Sequence, residues 1–141
     1  MSILAILTTL LLAGLSALHM YWAFGGRWGM ESVIPTIDGR RTLNPSPLAS
    51  VVVALALAVA AVVTLGSTGI LRSLAPAWLV KAGLVVLTVV FLARAVGDFH
   101  TIGFTKRVRD TRFAHLDSRY FAPLCACLAV ACAMLAWLCR G

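Results

Sequence analysis

Four apolar runs, each long enough to match the hydrocarbon thickness of a bilayer, constrain this chain more than any other feature. They cover about residues 3–24, 47–65, 76–98 and 118–139. About 20 predominantly apolar residues suffice for a helix to cross a membrane. In hydrocarbon each span must satisfy its own backbone hydrogen bonds, and an isolated apolar run does so only as a helix. The expected fold is therefore all-α, an integral membrane four-helix transmembrane bundle forming a single domain over residues 1–141. Composition points the same way: 61% of residues are hydrophobic and 12% charged. A soluble domain carries about 25% charged residues, so a water-soluble fold would lack the polar surface to cover this core.

Local signals place the helix ends. The first run has no Lys or Arg before it and no small-residue cleavage pattern after it, so it is read as a retained span rather than a secretory signal. Tyr21, Trp22 and Trp28 near its end suit an aromatic belt at the membrane surface. Gly25, Gly26 and Gly29 stop the helix, and a long loop follows over 25–46. Ser46-Pro47 reads as an N-cap followed by proline in the first turn of the second helix. That helix holds no ionisable residue, which marks it as a structural or lipid-facing span. A short connection spans 66–75, and Pro76 restarts the chain. Lys81, early in the third helix, is placed to snorkel toward headgroups. The second long loop spans 99–120, part of it open to helix formation, and Asp117 is expected to cap the fourth helix. Pro123 falls in the first turns of that helix, where it is tolerated. Each half of the chain thus reads as helix, basic loop, helix, a pattern compatible with two parallel repeats.

Charge gives a direction. The formal net charge is +7, and the two long loops hold eight Lys or Arg residues, against Arg72 and Arg140 in the short connection and the C-terminal tail. The positive-inside rule then expects the loops at 25–46 and 99–120 in the cytoplasm of a multi-pass protein, with both termini outside. This distribution explains the basic residues through topology and anionic headgroups, and it argues against nucleic acid as a partner.

Depth is the useful coordinate for chemistry. His19, Arg94, Asp117 and Tyr120 fall near the loop-side ends of three different helices and can converge at one level. An ionisable group inside a span costs about 2.5–3.5 kcal/mol on insertion scales, so it usually faces protein and has a partner. Arg94 and Asp98 stand four residues apart on one helix, the spacing of a salt bridge that would lock the helix end. His19 and Asp98 are the acid/base candidates, His19 because an imidazole titrates near neutrality. His19 also reads as a hydrogen-bonding partner of a neighbouring helix. Arg27, Arg94, Asp98, Asp117 and Tyr120 are the candidates for contact with a substrate or lipid headgroup. Gly97 and Gly103 bracket Asp98-Phe99-His100, and glycine permits sharp turns and close backbone approach. No phosphate-loop signature is present, so tight packing of that loop is the plainer account. His19 and His100 lack the local spacing of a metal site, and His115 falls in the basic loop; no metal and no cofactor is expected. Cys125, Cys132 and Cys139 recur every seven residues and share a helix face, with Cys127 off it. Without zinc or redox spacing they read as small packing residues.

Three stretches carry a family resemblance. Leu18-His-Met-Tyr-Trp-Ala-Phe-Gly-Gly-Arg-Trp-Gly29 ends the first helix, and Arg94-Ala-Val-Gly-Asp-Phe-His-Thr-Ile-Gly-Phe-Thr-Lys106 ends the third. Phe113-Ala-His-Leu-Asp-Ser-Arg-Tyr-Phe-Ala-Pro-Leu-Cys125 enters the fourth. Together, across essentially the whole chain, they resemble the small bacterial membrane proteins grouped as domain-of-unknown-function family 3995. The resemblance implies a four-helix integral membrane protein and leaves activity open. The family pattern tends to carry a basic residue where His100 stands and Phe where Thr105 stands, which counts against His100 as a shared ligand or catalyst.

The leading functional expectation is a binding or accessory membrane protein. It would contact anionic lipid, or a larger membrane complex, through its basic loops. A membrane-embedded enzyme acting on a lipid or isoprenoid substrate is the alternative, and a small oligomeric transporter the second alternative. No nucleophile–base–orienter pattern is visible for the enzyme, and the second helix offers no ionisable residue to a transport path.

Overall fold

The computed structural model describes residues 2–29, 34, 36–37, 40–41, 46–71, 75–97 and 102–139. Four helices dominate it: α1 (Ser2–Ala23), α2 (Pro47–Gly66), α3 (Ala77–Val96) and α4 (Arg112–Leu138). Each is long and apolar enough to cross a membrane, and the chain is a multi-pass membrane protein of the all-α class. Among the described residues the β structure is one short antiparallel pair in the first long loop, β1 (Thr36–Ile37) with β2 (Arg40–Arg41).

The helix ends follow from local chemistry. α1 closes in a Schellman motif: Gly26 N–H donates to the Tyr21 carbonyl at 3.0 Å and Gly25 N–H to that of Trp22 at 3.1 Å. Gly25 takes a φ of 89°, a left-handed conformation that glycine adopts without steric cost. At α2, Ser46 Oγ accepts from Ala49 N–H at 3.1 Å with Pro47 in the first turn, as the Ser-Pro pair foretold.

The fourth helix departs from the sequence reading. It begins at Arg112 rather than near residue 118, and its cap is Thr111, whose Oγ1 accepts from Ala114 N–H at 3.1 Å. Asp117 lies inside the helix, fully buried, and caps nothing. The expected 99–120 loop is shorter by that amount, because Thr111 supplies a cap one and a half turns earlier and Phe113 and Ala114 bury the new first turn. Between Asp117 and Phe121 the helix widens into a π turn, closed by Ala122 N–H on the Asp117 carbonyl. Pro123 follows directly. Its ring would clash with the carbonyl four residues back in a regular α-helix, and the wider turn relieves that clash.

Helices pack as two antiparallel pairs, α1 with α2 and α3 with α4, joined along a common core. The α1–α2 seam is held by side-chain hydrogen bonds: Thr9 and Thr64 hydroxyls lie 2.9 Å apart, and Ser16 Oγ donates to the Ala54 carbonyl at 2.7 Å. Ala54, Ala60 and Ala61 are buried along this face, so small residues let the two backbones approach, as is usual between membrane helices. The ionisable-free second helix is therefore a packing partner as well as a lipid-facing span.

Two core layers fix the levels of the bundle. One joins Leu12, Ala60, Phe91 and Leu128; the other, nearer the termini, joins Ala5, Val80, Leu84 and Leu135. Outward faces carry large apolar side chains such as Leu10, Val59, Val89 and Val130, as lipid contact requires. Tyr21, Phe24 and Trp28 are exposed at the loop end, and Trp78 and Trp137 at the termini end. Trp22, expected in the aromatic belt, is instead buried and donates from Nε1 to the Trp28 carbonyl at 2.8 Å, which folds the Gly-rich exit back on α1.

Candidate functional site

The site starts where α3 ends. Gly97 N–H donates to the Ala93 carbonyl at 2.8 Å, and the chain leaves the helix at a φ of 92°. After the segment 98–101 it returns against the same helix end. Phe104 N–H reaches the Ala95 carbonyl at 2.9 Å, while Thr105 N–H and Oγ1 both reach that of Val96. Carbonyls that a helix C-terminus leaves unpaired are thereby satisfied by the loop.

Gly97 and Gly103 make this return possible. Both have positive φ, and their backbones touch. A Cβ on Gly97 would collide with the Ile102 carbonyl, and one on Gly103 would collide with the Val96 carbonyl and lie 2.6 Å from the Gly97 Cα. The two glycines bracketing Asp98-Phe99-His100 are thus a backbone clasp.

The clasp delivers Lys106 into the protein. Its side chain is 2% exposed, and its three ammonium protons have three acceptors: the Gly103 carbonyl at 2.9 Å, Asp117 Oδ2 at 3.0 Å and Ser118 Oγ at 2.7 Å. Asp117 is 0% exposed, and its carboxylate accepts three hydrogen bonds from separate parts of the chain. Gly103 N–H and Lys106 Nζ bond Oδ2, and Arg94 Nη2 bonds Oδ1 at 3.1 Å. A carboxylate carried out of water costs several kcal/mol, which its partners must offset; here two cations and one amide surround it.

Among the described residues two cations share this one carboxylate. Lys106 is fully committed, whereas the Arg94 side chain remains 35% exposed. Its Nη1 is a buried donor with no hydrogen-bond partner among the described residues. Ser118 is exposed; its oxygen accepts from Lys106, and no acceptor for its own proton appears among the described residues. Because all three Lys106 protons are engaged, Lys106 donates to Ser118 and does not serve it as a base.

The structure therefore brings together two of the residues expected from sequence, Arg94 and Asp117. Asp98 lies outside the described residues, and with it the expected Arg94–Asp98 pair; the carboxylate seen on Arg94 is Asp117, from another helix. His100 also lies outside them. Among the described residues His19 bonds its own helix: its Nδ1 donates to the Leu15 carbonyl at 2.8 Å, and Trp22 packs edge-on against its ring. A carbonyl accepts only, so the proton sits on Nδ1. Arg27 and Tyr120 are exposed on the loop face, Tyr120 beneath the Arg119 guanidinium at 5.6 Å from the ring centroid.

Sequence reasoning missed Lys106 and Ser118. Lys106 is one of several basic residues between 106 and 119, and nothing in its neighbours marks it as the buried one. The available signal was the Gly97–Gly103 bracket, which predicts a loop folded hard against the helix end. Cys132 and Cys139 are buried in the core and Cys127 faces outward, as packing residues would. An apolar groove of about 340 Å³ opens beside α4, lined by Leu4, Ala126, Cys127, Val130, Ala131 and Met134, and it shares no residue with the polar cluster.

Searches of curated proteins and of solved structures returned no match. The sequence profile described as "Protein of unknown function (DUF3995)" matches residues 12–132, which span the three motifs, the four helices' common core and the Arg94–Lys106–Asp117 cluster, and the chain belongs to that family.

Proposed function

We propose that this protein is a binding or accessory membrane protein whose loop face engages anionic headgroups on the cytoplasmic side. The observation that carries the reading is the charge of that face. Arg27, Arg107, Arg109, Arg112 and Arg119 are exposed there, above a buried cluster whose two cations share one carboxylate. By sequence, the opposite end holds only Arg72 and Arg140 outside the helices. Juxtamembrane basic residues contribute about 1 kcal/mol each toward an anionic leaflet. The same asymmetry supports cytoplasmic loops and external termini. Homo-oligomers and larger membrane complexes are compatible partners for the long apolar faces.

The polar cluster serves this reading as a fastener. It fixes the 102–111 loop to the ends of α3 and α4, so that Arg107, Arg109 and Arg112 are presented from a rigid edge. Arg109 Nε donates to the Lys106 carbonyl at 3.3 Å, which ties the exposed edge to the buried lysine.

Lipid extracted with the purified protein tests the binding claim: anionic lipids are expected at a higher fraction than in the surrounding membrane. A headgroup profile equal to the bulk membrane would overturn it. Single cysteines at Arg107 and Ser46, introduced on a cysteine-free background, test the orientation. Labelling by a membrane-impermeant maleimide in intact cells would reverse it.

A further inference from the structure

We propose that Arg94 and Ser118 form a recognition site for one phosphodiester anion, with Lys106 and Asp117 as its positioning scaffold. The proposal rests on the reading of the loop face as a headgroup surface and names the ligand class of one place on it.

The first observation is the charge count. Arg94 and Lys106 both bond Asp117, so among the described residues two cations share one carboxylate at the level where α3 ends and α4 begins. The second is the unmet donors. Arg94 Nη2 is used on Asp117 Oδ1, while Nη1, although buried, has no partner among the described residues. Buried donors are nearly always paired, and an exception calls for an explanation. A third of the Arg94 side chain faces outward, so the guanidinium lies at the protein's edge. Ser118 adds the second donor. Its oxygen accepts a charge-assisted bond from Lys106 at 2.7 Å, which polarises the hydroxyl and strengthens its own proton as a donor.

Ligand class follows from chemistry and depth. A guanidinium with a free edge matches the paired oxygens of a phosphate group. Among the described residues the cluster holds two cations on one carboxylate, and a phosphodiester carries one negative charge. The singly charged anion that a bilayer presents at this level is the lipid phosphodiester. A soluble phosphate has the same donor chemistry, and the experiment separates the two sources.

Native mass spectrometry of the detergent-solubilised full chain is the test. Four probes are compared: phosphatidylglycerol, zwitterionic phosphatidylcholine, oleate as an anion without phosphate, and inorganic phosphate. One phosphatidylglycerol per chain is expected to survive salt that strips the rest. Arg94→Gln and Ser118→Ala should each weaken that one by about tenfold, the loss of a charge-assisted hydrogen bond. Arg72→Gln, in the 66–75 connection away from the loop face, should leave it in place. Arg94→Lys keeps a cation on Asp117 but lacks the second amine, so it should weaken binding like Arg94→Gln even if the latter folds poorly. Displacement by inorganic phosphate would support the site and assign a soluble source. Equal retention of oleate would overturn the phosphodiester class. If Arg94→Lys and Ser118→Ala bind as the unmodified chain does while salt still strips several anionic lipids, the site falls and the headgroup surface stands. If the unmodified chain shows no preference for phosphatidylglycerol over phosphatidylcholine, both fall.

Discussion

Lys106 Nζ lies 3.0 Å from Asp117 Oδ2, with 2% and 0% of the two side chains exposed. The ion pair joins the returning loop to the π turn of α4, two elements eleven residues apart in sequence. It gives the loop a fixed place at the end of the bundle, and Arg94 ties α3 to the same carboxylate.

Removing one side of that pair is expected to strand the other, so the losses of the two single variants should not add. Lys106→Met leaves Asp117 buried with Arg94 and one amide, and Asp117→Asn leaves two cations without a carboxylate. Each should cost about 3–5 kcal/mol, the usual effect of stranding a buried charge. The double variant Lys106→Met with Asp117→Asn should recover part of the loss, a coupling of about 1–3 kcal/mol. Unfolding in mixed detergent measures all four corners of the cycle; strict additivity would mean the pair contributes no coupling.

Gly97→Ala and Gly103→Ala should each loosen the clasp. Both positions require positive φ, which costs a non-glycine residue about 1–2 kcal/mol before any collision is counted, and both would also clash. Hydrogen exchange is the direct readout. Phe104 and Thr105 amides, bonded to Ala95 and Val96, should lose protection in these variants, whereas Gly69→Ala in the short connection should leave them unchanged.

Interhelical hydroxyl bonds should matter less. Thr9→Val removes its contact with Thr64 but keeps the packed shape, and Thr64 retains its own bond to the Ala61 carbonyl at 2.9 Å. Such bonds between membrane helices average about 0.6 kcal/mol. A loss well above that value in the same unfolding assay would show that the α1–α2 seam depends on the hydroxyl pair rather than on its small residues.

The tryptophans report depth. Trp28, Trp78 and Trp137 are exposed and Trp22 is buried. Single-tryptophan variants in bilayers of brominated lipid should show strong quenching at positions 78 and 137 and weak quenching at 22. Quenching of Trp22 equal to that of Trp137 would contradict the packing of α1's exit against its own turn.

How much of this was legible beforehand can be argued from single residues. Four runs of hydrocarbon length determined four helices, because a single run satisfies its own backbone in lipid only as a helix. Ser46-Pro47 and Gly25-Gly26 determined their helix ends, since capping is a matter of neighbours in sequence. Arg94 and Asp117 stood out because a charge in such a chain needs a partner. Which partner it takes is a question of distance across the bundle. Arg94 has a carboxylate four residues along its own sequence, yet the one seen on it, Asp117, comes from α4. Lys106 is a loop cation by sequence and a buried core cation in space, because the Gly97–Gly103 clasp turns the chain inward before it. Local rules fixed the elements and the level of the polar groups. Only the packing of α3 against α4 decided that two cations would share one buried carboxylate, with a donor on Arg94 unanswered among the described residues.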